Sequence, residues 1–139
     1  MRPSLVRGDV VILDRLSYFI SSPQIGDIVV FRTPDAPEIS YSIKRIIAGP
    51  GDEVDFIYNN FYVNGYRLND PFSYYDVHRM AGWVDFPIII EDGFYFVLGD
   101  YRNGSWDSRF ADFGNIPYSN IVGRVWIRIH PLSSFARIR

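Results

Sequence analysis

The 139-residue chain contains no cysteine, a single lysine and only two histidines. The missing thiols exclude disulfides, a cysteine nucleophile and thiolate metal sites, and they leave the redox compartment undetermined. His78 and His130 are far apart and have no partner at ligand spacing, so no metal site is expected. No apolar run approaches the ~20 residues of a membrane span, and the longest, such as Phe86 to Ile90, are strand-sized. The N-terminus turns polar at Arg7, Gly8 and Asp9, unlike a signal peptide. Fourteen Lys plus Arg face sixteen Asp plus Glu, and a net charge of -2 gives no electrostatic reason to expect nucleic acid as a partner. Helical periodicity is almost absent.

What the chain has is aromatic residues and turn formers: eleven Phe, ten Tyr, three Trp, eleven Gly and nine Pro, the last two at short intervals that favour strands over helices. Gly8-Asp9 opens a strand at Val10–Leu13, and Gly26-Asp27 opens another at Ile28–Phe31. Leu16–Ile20 reads as a helical turn or an irregular link, and Thr33–Glu38, with two prolines and two acids, as a loop. Glu53 to Leu68 is a meander, with turns expected at Asn59-Asn60 and Asn64-Gly65; Asn-Gly between short strands is a strong hairpin signal. Asn69–Pro87, which carries Tyr74, Tyr75, His78, Met80 and Trp83, reads as a lid or a solvated aromatic loop. Strands follow at Ile88–Ile90, Phe94–Leu98 and Ile121–Ile129, and Pro131–Arg139 reads as a basic tail. One mostly β domain over residues 1–139 is expected, barrel- or sandwich-like, with no dividing linker.

Two stretches carry chemistry. The first is Tyr41–Asp52, where Lys44 stands in an apolar strand beside Ile43, Ile46 and Ile47. Burial disfavours an ammonium and pulls its pKa down. Acting as a base near neutral pH would require a fall of roughly 3 units, at about 1.4 kcal/mol per unit. Lys44 is therefore a candidate base; the alternative is a strand-edge lysine that extends its amine into water. The second stretch is Gly99–Arg109, where Asp100, Arg102, Ser105, Asp107, Ser108 and Arg109 alternate too densely for a hairpin tip. They suit a buried, mutually satisfied network that holds a loop rigid. A calcium-binding turn fits less well, because two arginines, Arg102 and Arg109, share the run with the acids.

Five stretches in order resemble the boxes of bacterial type I signal peptidases. They are Met1–Leu5 with Gly8-Asp9; Gly26–Phe31; Ile43-Lys44-Arg45 with Pro50-Gly51-Asp52; Gly99–Arg102 with Ser105 and Asp107-Ser108-Arg109; and Val122-Gly123-Arg124. The resemblance implies a signal-peptidase-like β core, SH3-like or sandwich-type, with a short variable β insertion at about residues 53–92. It implies a serine endopeptidase with a Ser–Lys dyad, no cofactor, signal peptides of exported preproteins as substrates, and a place on the outer face of the bacterial cytoplasmic membrane. By position, Lys44 is the general base and Ser105 the hydroxyl that orients it. Asp107 and Arg109 are the supporting ion pair, and Asp100 and Arg102 shape the same loop. Met1, Leu5 and Ile43 line the substrate pockets, and Tyr41-Ser42-Ile43 pairs with the extended substrate.

The family's nucleophilic serine falls immediately before Met1. The 139 residues are thus expected to lack the attacking hydroxyl, as a fragment of the enzyme or as a paralogue without it; Ser4 matches a position downstream of the nucleophile. Tyr101 stands where the family usually has Asn. The rival expectations are an inactive relative that holds extended peptides as an assembly helper and, fitting the motifs poorly, a self-cleaving repressor-type Ser–Lys protease.

Overall fold

The computed structural model describes residues 1–33, 40–69, 72 and 77–138. Eleven strands run through them: β1 (Val10–Asp14), β2 (Ile28–Arg32), β3 (Tyr41–Ala48), β4 (Glu53–Ile57), β5 (Asn60–Val63), β6 (Tyr66–Arg67), β7 (Ile88–Ile89), β8 (Phe94–Leu98), β9 (Ile116–Pro117), β10 (Ile121–His130) and β11 (Ala136–Arg137). The described residues include no α-helix, only single 3-10 turns, one of them at Ser17–Phe19. None is long and apolar enough to cross a membrane.

Two antiparallel sheets result. The larger has the order β1-β10-β2-β3-β8-β9, with β11 also paired to β10; the smaller is β6-β5-β4-β7, which falls inside the expected insertion. Period-two alternation explains why the central strands read as continuous apolar runs, since both faces of the large sheet are covered. Val29 and Phe31 of β2, Ile46 of β3, and Tyr95 and Val97 of β8 face one cluster with Phe113 and Ile116. On the other face, Phe96 and Leu98 of β8 meet Val54 and Phe61 of the small sheet, together with Trp83. Ile28 joins Leu5 and Val125, with Met1, Val30 and Ile43 packed against them.

Three details depart from the sequence reading. The first meander turn sits one residue earlier, because Tyr58 (φ 47°) and Asn59 (φ 61°) take the left-handed backbone and Asn60 already begins β5. The Asn60 side-chain amide donates to the Tyr58 carbonyl at 2.6 Å and holds that turn. The basic tail contains a strand, β11, which pairs with β10. Within Asn69–Pro87, Trp83 is core, 7% exposed and bridged to Phe110. Tyr74, Tyr75 and most of the Thr33–Glu38 loop lie outside the described residues.

Candidate active site

Strand β3 organises the site. Along its length it pairs with β2, from Tyr41 opposite Arg32 to Arg45 opposite Ile28. On its other side β8 begins pairing only at Arg45, opposite Leu98. Beyond Leu98 the chain leaves the ladder at Gly99 and makes the loop to Arg109. Among the described residues, the Tyr41–Lys44 edge therefore carries no ladder partner on the β8 side. An open edge of this kind can accept a further strand.

Alternation sends Ser42 and Lys44 to one face of β3 and Ile43 and Arg45 to the other. Lys44 is half-buried, and its Nζ stands 2.8 Å from Ser105 Oγ, 61 residues along the chain. Burial pushes the Lys44 pKa down from the ordinary lysine value; the Asp107 carboxylate opposes this shift and the Arg109 charge adds to it. Met1, Arg2, Ser42, Lys44, Gly99, Tyr101, Gly104, Ser105, Trp106 and Phe113 line one open cleft of about 410 Å³. The amine, the Ser105 hydroxyl and Met1 thus lie at one cleft.

The loop that presents Ser105 is held by two buried ion pairs. Asp107, 0% exposed, receives Nε and Nη2 of Arg109 at 2.7 and 2.9 Å and the Gly99 amide at 3.0 Å. Arg109 also donates to the Ser105 carbonyl at 3.0 Å, so the pair directly orients the residue that holds Lys44. Asp100, likewise 0% exposed, is gripped at 2.9 Å by both Nε and Nη2 of Arg45. Arg102 donates to the Gly99 carbonyl at 3.1 Å. Bidentate geometry and full pairing are what make such burial tolerable. At Gly99 any side chain would collide with the Ser105 side chain, so glycine there is a condition of the Lys44–Ser105 contact.

The sequence-predicted substrate residues divide. Met1 and Ser42 line the cleft. Leu5, at 8% exposed, lies in the apolar cluster against which Met1 and Ile43 pack, and Leu5, Ile43 and Tyr41 are not among the cleft's lining residues. Ser4 is turned away from Lys44, its Oγ accepting from Arg45 Nη2 at 3.2 Å. Sequence reasoning gave Arg45 no role, although an arginine inside a buried apolar run, next to Lys44, was a signal for a buried carboxylate partner. It also gave none to Trp106 and Phe113.

Comparison with known proteins shows which family the chain resembles. The family model described as "Signal peptidase, peptidase S26" matches residues 1–130. The chain is 37% identical to thylakoidal processing peptidase 1 of Arabidopsis thaliana, over 96% of this chain and 40% of that protein. It is 36% identical to a probable signal peptidase I-2 of Synechocystis, covering 95% of this chain and 60% of that one, and 34% identical to signal peptidase I of Bacillus caldolyticus, covering 98% and 78%. It thus spans only 40% and 60% of the length of the first two relatives. A crystal structure of a signal peptidase I from Enterococcus faecalis superposes with a TM-score of 0.59 at 29% identity, covering 76% of this chain and 97% of that one.

Proposed function

The chain belongs to the signal peptidase family, peptidase S26, and on that premise we propose that it is the catalytic domain of a serine endopeptidase that removes signal peptides from exported proteins by a Ser–Lys dyad. The attacking hydroxyl is that of a serine immediately before Met1, beside the Lys44 amine. Neutral Lys44 takes the hydroxyl proton as the Oγ–carbon bond forms, and passes it to the amine released when the peptide C–N bond breaks. Water then attacks the acyl carbon with Lys44 taking its proton, and the acyl–Oγ bond breaks as that proton returns to the serine oxygen. Ser105 fixes the direction of Nζ, and the Asp107–Arg109 pair fixes Ser105. The substrate lies extended along the open Tyr41–Ile43 edge, main chain to main chain, with the small residues before the scissile bond toward Met1, Leu5 and Ile43. No metal or nucleotide takes part. In the whole protein the domain works at the outer face of the bacterial cytoplasmic membrane.

The single observation that carries this reading is the 2.8 Å contact between the half-buried Lys44 amine and the Ser105 hydroxyl. A dyad needs a desolvated amine with its lone pair free at neutral pH, and burial lowers the pKa in that direction. The test compares two polypeptides on a signal-peptide substrate, with cleavage mapped by mass spectrometry. Residues 1–139 alone are expected to hydrolyse at background. The same chain preceded by one serine is expected to cleave once, after a small residue. Cleavage by the 139 residues alone, abolished by Ser4→Ala, would contradict the nucleophile assignment. The open β3 edge also supports a second reading, a relative that holds extended peptides without cutting them. Tight peptide binding without cleavage by the serine-bearing chain would favour that one.

A further inference from the structure

We infer that Trp106 and Phe113 form a recognition wall for the second residue before the scissile bond and favour a large apolar side chain there. This rests on the proposed extended substrate on β3. A peptide on the Tyr41–Ile43 edge must send successive side chains to opposite faces of the sheet. If the first and third residues before the scissile bond point to the face of Met1 and Ile43, the second points to the face of Ser42.

That face is aromatic. Ser42 stands opposite Phe31 in the β2–β3 ladder. Phe113 meets Phe31 edge to face at 6.3 Å and 84°, and Trp106 meets Phe113 in the same manner at 5.1 Å and 72°. The stack climbs from fully buried Phe31, through Phe113 at 7% exposed, to Trp106 at 52% exposed. Its upper two rings line the cleft together with Ser42 and Lys44. The Trp106 indole N–H donates to Asp112 at 3.3 Å, which helps fix the ring. A pre-positioned indole, half in water and one residue from Ser105, offers apolar area that an incoming side chain can cover without reordering the loop.

The test measures dissociation constants of labelled eight-residue peptides on the 139-residue chain by fluorescence anisotropy. Alanine is kept at the first and third positions before the bond while the second is varied among Leu, Phe, Ser and Asp, and one further peptide carries Lys at the first position. Leu and Phe peptides are expected to bind about 10-fold more tightly than Ser or Asp peptides. Trp106→Ala is expected to compress that range to within about 2-fold, and Trp106→Phe to retain part of it, with both variants keeping rejection of lysine at the first position. An unchanged ranking in Trp106→Ala, or a wild-type chain indifferent at the second position but selective at the first, overturns this inference alone. Loss of selectivity at the first position, or no binding by any peptide, overturns the signal-peptide reading with it.

Discussion

Lys44→Met is expected to lower the cleavage rate of the serine-bearing chain by about 10³-fold or more, within the ~10²–10⁴ range of a positioned proton acceptor. Methionine keeps the length and bulk of the side chain and removes the amine. Because burial opposes the charged form of Lys44, the substitution should leave thermal stability unchanged or raise it at neutral pH. Lost activity could then not be attributed to unfolding. Lys44→Arg makes the complementary point: a guanidinium stays protonated and cannot act as base, so activity should be lost to the same extent. Here the buried charge can no longer be relieved, and stability should fall. Both variants are read by initial rates on one peptide and by thermal melts. A Lys44→Met chain that retains a tenth of the rate would contradict the base assignment.

The second large effect is structural. Asp107→Ala strands the Arg109 guanidinium at 2% exposure with its carboxylate partner gone. Removing one member of a buried pair costs about 3–5 kcal/mol, which for a domain of this size lowers Tm by roughly 10 °C or more. Asp85 provides the contrast. It also pairs with an arginine, Arg79, but its side chain is 99% exposed, and Asp85→Ala should cost less than about 1 kcal/mol. Replacing Asp107 and Arg109 together by Leu and Met should recover much of the stability while leaving Ser105 unheld, so that activity stays low. Denaturant melts of the four proteins separate these outcomes. Equal losses for Asp107→Ala and Asp85→Ala would contradict the buried-network account.

The charged residues were legible in the sequence because they stand where charge is expensive. One lysine in an isoleucine strand and six polar residues within Gly99–Arg109 could be read without coordinates. The mostly β architecture was legible for a similar reason, since short apolar runs between Gly and Pro leave little room for helices. What the sequence hid was long-range pairing. Nothing near Asp100 in the chain announces that its partner is Arg45, 55 residues earlier, because that ion pair depends on how β3 meets the loop after β8. Trp83 was misjudged as loop for the same reason, as it is buried by the small sheet folding over β3 and β8. The shift of the first meander turn to Tyr58-Asn59 has a local origin, in Asn60 spending its side chain on the Tyr58 carbonyl.

The lowered Lys44 pKa also sets a sign for pH dependence. The unfolded chain holds the Lys44 proton up to the ordinary lysine pKa, whereas the folded chain releases it earlier. Stability contributed by this group therefore rises with pH across that interval and is flat outside it. Activity in the serine-bearing chain should rise through the same folded-state midpoint, since only the neutral amine accepts the proton.

Lys44 is the chain's only lysine, so lysine-specific isotope labelling gives one side-chain signal, and its titration by NMR reads the amine directly. A midpoint clearly below that of a lysine in an unfolded peptide, moving when Ser105 is replaced by alanine, is the predicted result. A midpoint at or above the ordinary value, indifferent to Ser105, would mean a hydrated amine and would contradict the dyad.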